Sequence, residues 1–477
     1  MSASVSAPPP TQSSSVPQPD AGVPDFLRLQ QIPVNYIQQV ETDLLEPQVF
    51  QQGSATQDGF ARFTVANKGF LSSHSKIFLA IEPTNAAQTN CFFAPHIGVG
   101  QVIKKAVLKI GNKALNELDS WAGLHAMKSS MISNENSLER ELYTTGRCMS
   151  NQFEYNTNES RLASSIGLDT GMESVGGDTK LPGWAISSHT KLNECPSFSI
   201  DLSSLFSFLS VHQLPLYMLS EPLSIELTFQ PTAKLRAQVV GSTNEPINIV
   251  RDELKFCADY VFYGATDEMA RYEAANQDLN FSFVDYRLIE HSTTTAQMAT
   301  GLVQNLGMAN RLVPRVLSVL APDSSDNNEA GILGQYQSVS PLVNASGVAG
   351  AVKYNVRYND RYEYTSDVEN TARLFSLLTD AQGIPFLSRQ LYSDQGVAGG
   401  YTSNTFEGSD QSAQLAGRFF YLGTRLTNGR VGQRGVELHL SGDFPSGGSK
   451  IPNLLRSYCE YLRVARLVGG KMEIYNA

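Results

Sequence analysis

The chain has 477 residues, of which 17% are charged and 41% hydrophobic, and its 46 acidic against 36 basic residues give a formal net charge of -10. An acidic chain whose longest basic cluster is the pair Lys104-Lys105 is poorly suited to neutralising phosphates, so direct sequence-specific nucleic-acid binding is not expected. The charged share lies below the rough quarter usual in globular chains, which suits a protein that hides much of its surface against neighbours, because charge is depleted from interface cores.

In chain order, residues 1 to 36 read as a flexible arm, the first 24 being rich in Ser, Pro, Ala and Gln with Pro8, Pro9 and Pro10 in a row. The N-terminus lacks the basic start and apolar core of a signal peptide, and no run of about 18 apolar residues occurs, so a soluble protein is expected. Beyond the arm, apolar residues recur with a period of two, the pattern of half-buried strands. The clearest stretch is Leu223, Ile225, Leu227 and Phe229, separated by Ser224, Glu226 and Thr228. Others run over Ile77 to Ile81, Ala106 to Ile110, Leu254 to Tyr263, Arg418 to Leu422 and Val436 to Leu440, where Glu437 and His439 point away from the apolar face. Turn residues such as Gly111-Asn112, Asn359-Asp360 and Thr427-Asn428-Gly429 punctuate them.

Helices are few. One is predicted from Asp119 or Ser120 with Trp121, Leu124, Met127 and Met131 on one face. A second is capped by Thr266 and runs to Ala275. A third follows the capping-box pattern Ser366 to Glu369 and carries Ala372, Leu374, Phe375, Leu377 and Leu378. Such stripes mark buried faces rather than cofactor sites.

The order of elements occurs twice. A strand ending at Ile110-Gly111-Asn112, a helix from Trp121, an alternating strand at Ile225 to Phe229 and a last strand with Phe256-Cys257 are followed by the same series: Arg357-Tyr358-Asn359, a helix after Ser366, Val436 to Leu440, and Tyr458-Cys459. The shrinking offset between copies implies a longer insertion in the first, placed at residues 148 to 195. Two further long loops span 323 to 350 and 383 to 414. Compact domains rarely carry structureless loops beyond about 15 residues without a role for them. The expected fold is all-β, in two consecutive domains.

Catalytic spacing is absent. There is no GxSxG, HExxH, GxxxxGK[ST] or EF-hand pattern. Gly98 and Gly100 form a GxG without a third glycine, inside what reads as a strand. The seven histidines are scattered, and Glu290 and His291 are neighbours on a strand and so face opposite sides. Cys91, Cys148, Cys195, Cys257 and Cys459 are odd in number with no CxxC, which points to free thiols and a reducing compartment. The N-x-S/T triplets at Asn158, Asn280 and Asn344 are no more than chance supplies. No catalytic, cofactor-binding or metal-binding residue is assigned, no cofactor is expected, and an enzyme is not expected.

The segment Tyr260 to Tyr272, with Asp267, Arg271 and Tyr272, followed by the apolar strand Tyr286 to Glu290, resembles the junction between two jelly rolls in the major capsid proteins of polinton-like viruses, virophages and nucleocytoplasmic large DNA viruses. Leu214 to Leu227 is similar to a late-strand hairpin of that family's first barrel, and Tyr458 to Ile474 with Gly469-Gly470 to the closing strand of its second. The insertion at 148 to 195 has no counterpart. The resemblance implies two eight-stranded jelly-roll β-sandwiches: residues 37 to 265, a linker helix at 266 to 280 in which Asp267, Arg271 and Tyr272 are structural, and residues 281 to 477. It also implies a homotrimer forming a pseudo-hexameric capsomer of an icosahedral shell in the virion. Its partners would be neighbouring capsomers, a penton protein, minor capsid proteins and an internal membrane, with the arm on the inner side. A glycan-binding adhesin or spike built on β-sandwiches is the alternative, and its loops would need more exposed aromatics than Trp184 and Tyr401.

Overall fold

The computed structural model describes residues 37–83, 98–132, 140–141, 144–145, 197–232, 236–237, 245–263, 278–322, 352–369, 371–382, 421–426, 429–442 and 452–476. The arm, the insertion at 148 to 195, the two later loops and the helix expected after Thr266 lie outside them.

Among the described residues, sixteen strands make two copies of one topology, and short strands such as Phe70–Leu71 and Glu245–Ile249 extend the sheets of the first copy. The first eight are β1 (Ile37–Leu45), β2 (Gly59–Val65), β3 (Lys76–Pro83), β4 (Ile103–Ile110), β5 (Lys113–Asp119), β6 (Ser197–Asp201), β7 (Leu223–Phe229) and β8 (Lys255–Tyr263). The next eight are β9 (Asp278–Ser292), β10 (Leu302–Gly307), β11 (Arg315–Pro322), β12 (Val352–Tyr358), β13 (Arg361–Tyr362), β14 (Tyr421–Arg425), β15 (Val436–Gly442) and β16 (Pro452–Val468). A final strand β17 (Lys471–Asn476) folds back on β16. In the first set β1-β8-β3-β6 form one antiparallel sheet and β2-β7-β4-β5 the other. In the second set β9-β16-β11-β14 and β10-β15-β12-β13 repeat that order, each strand number raised by eight. Eight strands in two facing sheets with this order make a jelly roll, so the protein is two jelly rolls in tandem.

Alternation drives the sandwiching. In β7, Leu223, Ile225, Leu227 and Phe229 are buried while the residues between them are half-buried. β15 repeats the pattern, with Val436, Leu438 and Leu440 inward. Each such side chain contributes about 1.5–3 kcal/mol on burial. The second core also holds Tyr354, Val356, Tyr358, Leu422 and Cys459. The two-residue turn Asn359-Asp360 has φ of 52 and 60, and Gly469-Gly470 has φ of 54 and 80, the left-handed geometry that lets a hairpin keep its strand twist.

Among the described residues five helices are short covers: α1 (Trp121–Ile132), α2 (Leu202–Leu205), α3 (Ser207–Val211), α4 (Thr295–Thr300) and α5 (Thr371–Gln382). α1 buries Trp121, Leu124 and Met127 as its periodicity predicts. α5 packs so closely on β14 that a Cβ at Gly423 would stand 2.8 Å from Leu378 Cδ1.

Four details differ from the sequence reading. Ser366 to Glu369 is not the first turn of α5: Val368 exchanges backbone hydrogen bonds with Tyr354 and the helix begins at Thr371. The capping box that does form is Thr294 with Gln297, at α4. Gly98 and Gly100 lie in a 3₁₀ turn and not in a strand. The match of Phe256-Cys257 with Tyr458-Cys459 is also out of phase by one residue. Phe256 faces the first core and Cys257 faces away from it, whereas Cys459 is fully buried in the second core and Tyr458 turns to the other side. A one-residue slip in a strand exchanges faces. Strand β9 begins at Asp278, inside the span expected of the linker helix.

Candidate functional site at the seam between the barrels

β9 and β16 run 15 and 17 residues and pair along their length, long for strands that typically have 3–10 residues. Their overhang is what the first barrel packs on. Leu279, Phe283, Ala465, Leu467 and Met472 join the apolar core of the first barrel. Phe208 of α3 meets the rings of Phe281 at 5.6 Å and Phe283 at 5.1 Å, both edge to face, the preferred arrangement of aromatic pairs.

Within this apolar seam lies a polar network. Asp285, 1% exposed, accepts from Asn116 Nδ2 of β5 (2.6 Å), Arg463 of β16 (2.7 Å), Tyr461 Oη (3.1 Å) and the Tyr286 backbone N–H (2.9 Å). Arg463 also donates to the carbonyl of Leu115 at 3.1 Å. Burial raises the pKa of Asp285 in spite of the Arg463 charge that opposes it. A carboxylate here is held by four donors because leaving it unpaired in the interior would cost several kcal/mol.

A second cluster sits beside it. Lys128 of α1 donates to Tyr286 Oη at 2.8 Å with its ammonium 4.5 Å over the ring. Tyr286 in turn donates to Glu460, which also pairs with Arg315 Nε at 2.6 Å. Burial pulls the pKa of Lys128 down to about 8, with Glu460 opposing and Arg315 adding to the fall.

Backbone atoms tie the same seam. The edge carbonyls of β9 are met by α3 and the residue after it: Ser207 Oγ donates to the Val284 carbonyl and His212 Nε2 to that of Ser282 at 2.7 Å. Tyr458 Oη donates to the Ser120 carbonyl, Lys113 Nζ to that of Met472, and the Ser220 N–H to that of Gly470 at 2.8 Å. The free edge of β9 is thereby covered, one of the ways a sheet avoids unwanted pairing. The arrangement joins the two barrels through a shared apolar core and hydrogen bonds.

Of the residues weighed in the sequence, Cys91, Cys148, Cys195, His96 and His189 lie outside the described residues, and others are held in ordinary ion pairs or cores. Lys104 pairs with Asp58 at 2.5 Å, and Lys105 with Glu117 and Asp119. Glu290 pairs with Arg456 at 2.8 Å. Cys257 and Cys459 are free thiols, and burial pushes Cys459 up to about 12. Among the described residues no group of three or more His, Cys, Asp or Glu could hold a metal ion. A surface groove of about 380 Å³ lies between α5 and the segment before it, lined by Tyr364, Thr365, Ser366, Arg373 and Ser376 among others. Asn116, Lys128, Asp285 and Arg463 were not singled out from the sequence; the one signal was a charged residue at an inward parity of β9.

Tandem eight-stranded barrels joined this way define a double jelly-roll protein. The same fold occurs in solved viral structures. The chain matches the mavirus major capsid protein with a TM-score of 0.51 at 10% identity, over 100% of this chain and 96% of that one. It matches a chain of the Sputnik virophage cryo-EM structure with 0.54 at 10% identity, over 98% and 94%. It matches VP54 of PBCV-1, fitted into a reconstruction of Sputnik, with 0.53 at 10% identity, over 95% and 100%. No family model and no curated protein matches the sequence.

Proposed function

We propose that this chain is a major capsid protein, a structural and non-enzymatic subunit that associates as a homotrimer into a pseudo-hexameric capsomer of an icosahedral shell. The observation that carries the reading is the repetition of the same eight-strand order in two jelly rolls about a buried seam. Two like lobes per chain, taken three times, give six lobes around one axis, which fits a quasi-hexagonal lattice. Likeness in fold to capsid structures along nearly the whole chain supports it.

In this reading the protein resides in the virion after assembly in a reducing compartment, in keeping with its free thiols. Its partners are neighbouring capsomers, a penton protein at the vertices, and minor capsid proteins or an internal membrane beneath, where residues 1 to 36 would lie. The test is native mass spectrometry of the purified chain with electron microscopy of the same sample. A species of three times 52.1 kDa and closed or sheet-like arrays of six-lobed units are expected. A monomer at micromolar concentration that forms no array would overturn the reading, and glycan binding by that monomer would favour the adhesin.

A further inference from the structure

The internal repeat also says which surfaces meet between chains. In the second barrel, β11 begins with Arg315 opposite Glu460, and Glu460 pairs with Tyr286 of β9. In the first barrel, β3 begins with Lys76 opposite Cys257, and Cys257 pairs with Leu44 of β1. The outward positions Ser282, Val284 and Tyr286 of β9 therefore correspond to Val40, Thr42 and Leu44 of β1. On β9 all three are occupied from within the chain, by His212, Ser207 and Lys128 of the preceding barrel.

On β1 the two apolar positions are open: Val40 is 56% and Leu44 62% exposed, while Thr42 between them donates to Asp259 of the neighbouring strand at 2.7 Å. Among the described residues β1 pairs only with β8, so its other edge offers backbone groups for pairing. An exposed apolar edge strand is a template for association. Its flank is acidic: Glu41 and Asp43 share the single cation Lys68, and Glu46 follows.

In the seam the covering elements are β5, α1 and the connection between β6 and β7. Their counterparts in the second barrel are β13, α5 and the connection between β14 and β15. These carry Arg361, Tyr362 (49% exposed), Gln433 and Arg434 on the surface, an aromatic among basic and amide donors. Arg434 reaches only the exposed Asp360, at 2.6 Å.

Resting on the capsid reading, we propose that the open face and edge of β1 is the docking surface for a second copy of this chain. The copy arrives head to tail, through the β13 end of its second barrel, and repeats between chains the seam already formed within one. Donors of the β13 end would meet the edge carbonyls of β1, its arginines the Glu41, Asp43 and Glu46 carboxylates, and Tyr362 the Val40 and Leu44 side chains. A heterologous contact of this kind closes into a ring when its rotation permits.

Two variants test it, both at exposed positions: Val40→Lys with Leu44→Lys, and Arg361→Glu with Tyr362→Ser. Circular dichroism and thermal melts first establish that each folds as the wild type. In native mass spectrometry each alone should lose trimer, with association at least tenfold weaker. Because each retains the half that the other lacks, an equimolar mixture should form a dimer of twice 52.1 kDa and stop there. Folded variants that remain trimeric, or a mixture that remains monomeric, would remove the assignment while a wild-type trimer leaves the capsid reading standing. A wild-type monomer would take both down together.

Discussion

Replacing Lys128 by Met should stabilise the protein at neutral pH. The ammonium lies in the seam under Tyr286, and its pKa falls from 10.5 to about 8, chiefly through burial. That fall corresponds to an upper bound of about 3.5 kcal/mol by which the charged form is disfavoured on folding, at about 1.4 kcal/mol for each tenfold change in proton affinity. Solvent reaching the half-buried side chain and the lost hydrogen bond to Tyr286 reduce the net gain to about 1–2 kcal/mol. The sign follows from proton counting. Below pH 8 both folded and unfolded chains carry the proton, and the wild type bears the full cost. Between pH 8 and 10.5 the unfolded chain keeps a proton that the folded chain has released, so wild-type stability rises with pH relative to Lys128→Met. Urea midpoints of the two proteins at pH 7, 8.5 and 10 measure the difference, which should be largest at pH 7 and shrink with rising pH. A variant less stable at pH 7, or a difference flat across the series, would show that the ammonium contributes more through Tyr286 and Glu460 than its burial costs.

Asp285→Ala should destabilise by about 3–5 kcal/mol, because it leaves the guanidinium of Arg463 without its buried partner; an unchanged urea midpoint would mean that solvent enters the seam. Leu227→Asp places a carboxylate at a fully buried position of β7, where an unpaired charge costs several kcal/mol, and should abolish soluble protein on expression; wild-type yield would contradict the inward assignment.

What the sequence made legible is what a strand writes locally. Leu223 to Phe229 and Val436 to Leu440 face as their period of two says, and Trp121, Leu124 and Met127 line α1, because side-chain direction follows from the backbone repeat alone. The order of strands within a sheet is not written locally, so the pairing of β1 with β8 or β9 with β16 was not legible in the pattern. Ser366 misled because a capping box is a local preference, and the bridge of Val368 with Tyr354 outweighs it. The seam was hidden for a related reason. The parity of Asp285 with Phe281 and Phe283 marks it as inward, but its partner Asn116 lies 169 positions away, and no periodicity registers such a partner.

The overhang of β9 and β16 gives the order of synthesis a structural meaning. Ala465, Leu467 and Met472, which follow every strand of the first barrel in the chain, complete that barrel's apolar core. A nascent chain therefore shows an unfilled hydrophobic flank on its first barrel until β16 and β17 arrive, however well that barrel has collapsed. Copies that stop short of β16 keep this apolar flank open to water, which sets them apart from subunits whose overhang is docked.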